Sequence, residues 1–143
     1  MGIIWGLIVV ALSLLCWGGQ VLSTLAPASA TRLTLMESNT DVESTFWADI
    51  RGEAAWDSLT LWTMPVAGVL LIVDNPAWAY FGLVGGGMYL YFAGRGIFTR
   101  AVMQRDGLRI GAVANRTVGY AMLAVWGVMA LIMLIAATVA LTG

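Results

Sequence analysis

Two apolar runs without charged side chains stand near the two ends of the chain, over residues 3–22 and 118–141. Each is long enough to cross a hydrocarbon layer of about 30 Å, which requires about 20 apolar residues in an α-helix. Inside lipid, only helices and closed barrels satisfy every backbone polar group. Because 60% of the side chains are hydrophobic and only 10% are charged, the chain is predicted to be an all-α integral membrane protein.

Two further apolar runs predict two more spans, over residues 56–73 and 77–98. Pro65 lies inside the second span and predicts a kink there, because proline lacks the N–H that would bond the preceding turn. An Asp-Asn-Pro sequence at 74–76 predicts a tight turn, so spans two and three should form an antiparallel hairpin. The predicted fold is a polytopic, up-and-down four-helix transmembrane bundle, formed by one domain over residues 1–143.

The segment before span two is less apolar, and its second half predicts an amphipathic helix. Residues 25–30 are predicted to form a loop. Asn39 or Thr40 is expected to cap the helix that follows. Apolar residues recur every four positions, at Val42, Phe46, Ile50 and Ala54, and would form one face of this helix. We expect this segment to lie on the membrane surface or to extend span two into water.

All seven arginines fall on one side of this topology. They are Arg32, Arg51, Arg95, Arg100, Arg105, Arg109 and Arg116. Because basic residues in short loops stay in the cytoplasm, the loops at 23–56 and 99–117 are predicted to be cytoplasmic and both termini outside. The many arginines and glycines and the absence of lysine are typical of a GC-rich bacterial genome, so we expect a bacterial inner membrane.

The first apolar run has a competing interpretation as a secretory signal peptide. Ala28, Ser29 and Ala30 form the small-x-small pattern that precedes a cleavage site. Against cleavage, residues 1–4 carry no basic side chain, and the arginine-rich loop would be left on the wrong side of the membrane. We expect the run to be retained as span one; cleavage, leaving three spans, is the alternative.

Composition argues against several cofactors and partners. The chain has no histidine, the usual haem ligand and the commonest zinc ligand. Its single cysteine, Cys16, lies in the first apolar run, so a disulfide within the chain and a CxxC pair are excluded. The net charge of −1 gives no nucleic-acid signature. We expect no cofactor, no bound metal and no nucleic-acid partner.

The third span carries a glycine-rich face. Gly82 and Gly86 have the small-xxx-small spacing that lets a second helix approach closely in lipid, and Gly94 lies two turns farther along. We expect Gly82, Gly86 and Gly94 to pack against a helix of this chain or of a partner. The predicted partners are therefore membrane lipids and either another membrane protein or a second copy of the chain.

Three carboxylates spaced four residues apart share one face of the predicted second helix, and three arginines end the third span on the same side of the membrane. We predict that these groups form a cytoplasmic ion-pair cluster that docks the first loop onto span three. The cluster comprises Asp49, Glu53, Asp57, Arg95, Arg100 and Arg105. The alternative is a site for a divalent cation or an anionic substrate, since hard cations bind several oxygen ligands.

Three hypotheses for function follow. The first is a non-enzymatic accessory or scaffold subunit, which packs through the glycine face against a membrane complex or itself. The second is a protein that binds or transports a lipid-like or small neutral molecule, using the aromatic residues at 89–92; it predicts a cavity. The third is a membrane enzyme that uses Asp49, Glu53 and Asp57.

Overall fold

The computed structural model describes residues 2–143 and is all-helical. Helices contain 81% of the chain, and the only β-type pairing within the described residues is a single bridge between Val42 and Ile110. The helices are α1 (Gly2–Leu25), α2 (Pro27–Arg32), α3 (Ser44–Thr60), α4 (Thr63–Ile72), α5 (Trp78–Arg105) and α6 (Val113–Thr142). The predicted all-α fold class is confirmed.

Three helical segments are long and apolar enough to cross a membrane, namely Gly2–Leu25, Ser44–Ile72 and Val113–Thr142. Helix α5, which contains the predicted span at 77–98, is not one of them. It is 28 residues long, but glycine, tyrosine and arginine dilute its apolar side chains. These three segments indicate a membrane location.

Successive long helices run antiparallel. Trp17 of α1 hydrogen-bonds to Ser58 at the end of α3, whereas Gly6, near the start of α1, lies against Gly68 of α4. Helix α5 pairs with α3 and α4 in the same opposed sense, and α6 pairs with α5. All seven arginines therefore lie toward one end of the protein, which we call the arginine-rich end.

The helix that contains Pro65 is interrupted earlier than predicted. Helix α3 ends at Thr60 and α4 begins at Thr63, so the break lies at residues 61–62 rather than at the proline. Pro65 has no N–H to donate to the carbonyl of Leu61, four residues before it, and its ring clashes with that carbonyl. The discontinuity therefore appears one turn before the proline.

The predicted start of the amphipathic helix is also wrong. Helix α3 begins at Ser44 after Glu43, not after Asn39 or Thr40. The backbone at Glu43 is extended because its N–H donates to the carbonyl of Arg109 at 2.8 Å, beside the bridge at Val42. Tertiary pairing with the loop before α6 therefore delays the helix.

Residues predicted as a loop at 25–30 contain a short helix, α2, with Pro27 at its start. A first-turn proline suits a helix, because its missing N–H would have no partner there. Helix α2 helps to cover a small core at the arginine-rich end. The buried members of this core are Ala30, Met36, Val42, Phe46, Ile50 and Ile110. A separate larger core runs between the long helices.

Candidate functional site

Helices α1 and α6 diverge along one side of the protein. Helix α1 packs mainly against α3 and α4, and α6 packs mainly against α5, while α1 and α6 meet only locally. One contact between them is a hydrogen bond from Nε1 of Trp126 to the carbonyl of Leu12, at 3.0 Å. We call the gap on this side the α1–α6 cleft.

A cavity of about 400 Å³ occupies the α1–α6 cleft toward the arginine-rich end. This volume is within the range of about 300–1,000 Å³ that is typical of small-molecule sites. Leu15 of α1 and Val118 of α6 border the cavity and are 49% and 62% exposed. The cavity therefore opens sideways between these two helices, and at its polar end the exposed Thr34 and Asn115 also border it.

The cavity wall is polar toward the arginine-rich end and apolar toward the middle of the helices. The polar side chains are Gln20, Ser23, Thr34, Glu37, Glu53, Arg100 and Asn115. The mostly apolar side chains toward the middle of the helices are Leu15 at the mouth and, deeper, Cys16, Phe92, Met122, Leu123 and Trp126. This division matches a molecule with a polar head and an apolar body.

A second groove continues the α1–α6 cleft on the far side of Trp126. It has a volume of about 350 Å³, and its lining is apolar apart from the indole nitrogen of Trp5. Helices α1 and α6 supply its lining residues: Trp5, Leu12, Ala124, Val125, Val128, Met129 and Ile132. A separate apolar groove therefore lies beyond the hydrogen bond between Trp126 and Leu12.

Arg95 links α5 to α3 beside the cavity. Its guanidinium donates to a carboxylate oxygen of Asp49 and lies 2.8 Å from Oε1 of Glu53. At this distance the Glu53 contact is a close ion pair, within the range of charge-assisted contacts. One cation is thus shared by two carboxylates.

Asp57 lies one turn beyond Glu53 on α3 and is 4% exposed. Its Oδ2 has no hydrogen-bond partner. Within residues 2–143, no arginine lies within 4 Å of its carboxylate. The structure therefore brings together Arg95, Asp49 and Glu53 from the predicted cluster, but leaves Asp57 without a paired cation.

The other two predicted arginines have different partners. Nη2 of Arg100 is 3.8 Å from Oε1 of Glu37, in the segment before α3, so Arg100 belongs to the cavity wall. Arg105 is 76% exposed and pairs with the adjacent Asp106. The sequence offered no reason to select Glu37 as a partner, since it lies outside the regular spacing of the three carboxylates.

The glycine face of α5 packs mainly within the chain. A Cβ at Gly82 would lie 3.1 Å from Sδ of Met133, and one at Gly86 would lie 2.7 Å from Cγ of Leu134. Both neighbours are on α6. Gly94 has no atom within 4 Å of such a Cβ, so within the described residues it faces open space.

The aromatic residues at 89–92 divide between core and surface. Tyr89 is fully buried, and its hydroxyl donates to the carbonyl of Ser13 at 2.9 Å. Tyr91 is 62% exposed, whereas Phe92 lines the cavity. Only part of the predicted aromatic site therefore reaches the cavity, and α1 and α6 supply most of the wall.

Sequence reasoning missed the cavity because its wall combines residues from five separate segments. Gln20 was one available signal, since an amide side chain inside a predicted span is costly unless it has polar company. Asn115, just before the fourth predicted span, was another. Neither residue indicates by itself which helix it faces.

Within residues 2–143, no group of three or more Cys, Asp or Glu side chains is placed to hold a metal ion. Comparisons with protein-family models, curated proteins and solved structures found no match to this chain.

Proposed function

We propose that this chain is a membrane protein that binds a small amphiphilic molecule in the α1–α6 cleft. The polar head would lie in the cavity beside Glu37 and Arg100. The apolar body would extend past Phe92 and Trp126 toward the second groove. This proposal keeps the lipid-like binding role and moves its site from the 89–92 region to the cleft.

The single observation that carries the proposal is the sideways opening of a half-polar cavity between α1 and α6. A cavity that opened only toward water would suit a polar solute. Here exposed apolar residues flank the mouth, as expected for entry from the hydrocarbon layer. Ligand pockets are typically apolar with a few convergent polar groups that fix orientation, and this wall has that composition.

We further propose that the chain crosses the membrane four times, with α5 as the third span and the arginine-rich end in the cytoplasm. Helix α5 packs between α4 and α6, which are both apolar, so its low hydropathy does not prevent it from crossing beside them. A cysteine placed at Gly107 should react with a membrane-impermeant thiol reagent only after the cytoplasmic face is opened. A reporter fused to Gly143 should be active outside, and the opposite pattern would overturn this orientation.

The binding role is tested by filling the cavity from α1. Gly19 lines the cavity, and a Cβ there meets no atom within 4 Å, so the bulky substitution Gly19→Trp is expected to occupy the cavity without breaking the helix. Gly18→Trp is the matched control, because Gly18 is also open but does not line the cavity. Circular dichroism should show that both variants are folded.

The measurement is native mass spectrometry of the protein purified in dodecyl maltoside, with dodecyl probes added that bear a trimethylammonium, a glycerol or a phosphate head. We expect a saturable adduct of one probe per chain in the natural protein and in Gly18→Trp, and its loss in Gly19→Trp. If no probe forms such an adduct, or if Gly19→Trp retains it, the proposed function is wrong.

A role as an accessory subunit remains a proposal, but its main support has changed. Gly82 and Gly86 contact α6 of the same chain, so neither position is available to a helix of another protein. Gly94 is still open to a partner helix, and a single glycine is weaker support than a continuous face.

A further inference from the structure

The cavity wall carries more negative than positive side chains. This excess determines which head groups the cavity favours. The wall carries the carboxylates of Glu37 and Glu53 and the guanidinium of Arg100. Within residues 2–143, these are its charged side chains. Clefts that are lined by an excess of one sign of charge concentrate ligands of the opposite sign.

Arg100 divides its contacts between Glu37, the backbone of Gly96 and the ring of Phe46. Nη1 donates to the carbonyl of Gly96 at 3.3 Å, and the guanidinium carbon lies 5.3 Å from the centre of the Phe46 ring. Its distance of 3.8 Å from Oε1 of Glu37 is longer than a charge-assisted hydrogen bond, which measures about 2.7–2.9 Å. Arg100 therefore compensates Glu37 only in part.

Glu53 shares its cation with a second carboxylate. Its side chain is 10% exposed, and its Oε1 forms an ion pair at 2.8 Å with Nη1 of Arg95. The nearby cation, Arg95, is shared with Asp49. A carboxylate that is nine-tenths buried and lacks a dedicated partner is costly, and a ligand cation would offset part of that cost.

The charge behind the wall does not remove this imbalance. Asp49 and Arg95 lie behind it and pair with each other. Counting the charged groups on and directly behind the wall, three carboxylates face two guanidinium groups. They are Glu37, Asp49 and Glu53 against Arg95 and Arg100. Asp57, one turn beyond Glu53, has no cation within 4 Å among the described residues; because a buried carboxylate without a cation is favoured in its neutral form, it is not counted as a full charge.

Aromatic rings line the part of the cavity where the apolar body of the ligand would lie. Phe92 and Trp126 both line the cavity, and their ring centres are 5.8 Å apart in a tilted arrangement. These rings suit an apolar tail, so the selection among head groups falls to the charged side chains of the wall.

We infer that the ligand of the α1–α6 cleft is a cationic amphiphile, an alkylammonium whose charged head binds at the wall that carries Glu37 and Glu53. This inference rests on the proposed function and specifies its substrate class. The competing chemistry is an anionic head group bound to Arg100, which the same experiment distinguishes.

The experiment compares three dodecyl probes of equal tail length, with trimethylammonium, glycerol or phosphate heads, in dodecyl maltoside micelles. Binding is measured by titrating each probe and detecting its adduct by native mass spectrometry. Gly19→Trp is the control for probe that enters the micelle without binding in the cleft. We expect the trimethylammonium probe to bind about tenfold more tightly than the glycerol probe and the phosphate probe to bind most weakly.

Two charge variants locate the head group. Glu37→Gln should weaken binding of the trimethylammonium probe about tenfold and should weaken binding of the glycerol probe much less, because only the first loses an opposite charge. Glu43→Gln is the matched control, because Glu43 lies at the same end but pairs with Arg109 outside the cavity and should change neither probe. Arg100→Gln should strengthen binding of the trimethylammonium probe, because it removes a positive charge from the wall. Circular dichroism should show that each variant is folded.

The outcomes separate the inference from the proposed function. If the glycerol or phosphate probe binds as tightly as the cation and Gly19→Trp abolishes that binding, the cleft still binds amphiphiles but the cationic class is wrong. Weaker phosphate binding in Arg100→Gln would then assign the head group to that arginine. If no probe binds in a way that Gly19→Trp abolishes, both proposals fail.

Discussion

Gly6 of α1 and Gly68 of α4 lie so close together that neither position has room for a methyl group. A Cβ on Gly6 would lie 2.9 Å from the carbonyl oxygen of Gly68, and a Cβ on Gly68 would lie 3.1 Å from the carbonyl oxygen of Gly6. Backbone atoms cannot rotate away as a flexible side chain can. The two helices therefore depend on glycine at this crossing.

Gly6→Ala is expected to destabilise the protein by about 1–3 kcal/mol, the usual cost of overpacking an interface that cannot relax freely. Gly18→Ala is the matched control on the same helix, because a Cβ there meets no atom within 4 Å. Alanine is the better helix former, so this control should be neutral or slightly stabilising. Unfolding by dodecyl sulfate in mixed micelles, followed by circular dichroism, measures both. Equal stability of the two variants would contradict the close crossing.

Gly86→Ile is expected to destabilise the isolated chain because the new side chain would collide with Leu134 on α6. Gly94→Ile makes the same substitution two turns along α5, where a Cβ meets no atom within 4 Å, and should leave thermal stability nearly unchanged. The readout is the midpoint of thermal unfolding of the purified protein. A normal midpoint for Gly86→Ile would show that its face is free for another protein instead.

Arg95→Gln should destabilise the junction of α3 and α5, because it leaves the carboxylates of Asp49 and Glu53 without their cation. Loss of one partner of a partly buried, charge-assisted contact costs about 1–3 kcal/mol. Arg105→Gln should have no measurable effect, since an exposed ion pair contributes little. Both variants are compared by dodecyl sulfate unfolding, and an effect of Arg105→Gln as large as that of Arg95→Gln would contradict this difference.

Periodicity and hydropathy predicted much of the helical framework. The spans at 3–22 and 118–141 fall inside α1 and α6, because long uncharged runs leave the backbone few alternatives to a helix in lipid. The apolar face with a four-residue repeat was also informative, since Phe46, Ile50 and Ala54 are all buried. These features depend on local sequence alone.

Features that depend on distant pairing were not predictable in the same way. The start of α3 is set by the carbonyl of Arg109, more than 60 residues away. The cleft is of the same kind: close crossings at glycines bring α1 against α4 and α6 against α5, whereas α1 and α6 meet only locally. Glycine spacing in one sequence shows that a close crossing is possible, but it does not show which helix makes it.

The carboxylates on α3 differ in a way that their regular spacing conceals. Asp49 accepts a hydrogen bond from Arg95, whereas Asp57 is more deeply buried and has an oxygen with no partner. Burial of an unpaired charge is unfavourable, and like charges four residues apart on a helix repel. The same conservative substitution is therefore expected to have opposite effects at the two positions.

Asp57→Asn should raise the midpoint of thermal unfolding, because it removes a carboxylate whose charged form is buried without a cation and repels Glu53, while it keeps the side-chain shape. Asp49→Asn should lower the midpoint, because it replaces the charged acceptor of the Arg95 guanidinium with a weaker, neutral one. In the double variant the two effects should not simply add, because Glu53 lies between the two residues and interacts with both. A loss of stability in Asp57→Asn as large as that in Asp49→Asn would show instead that Asp57 has a favourable charged partner.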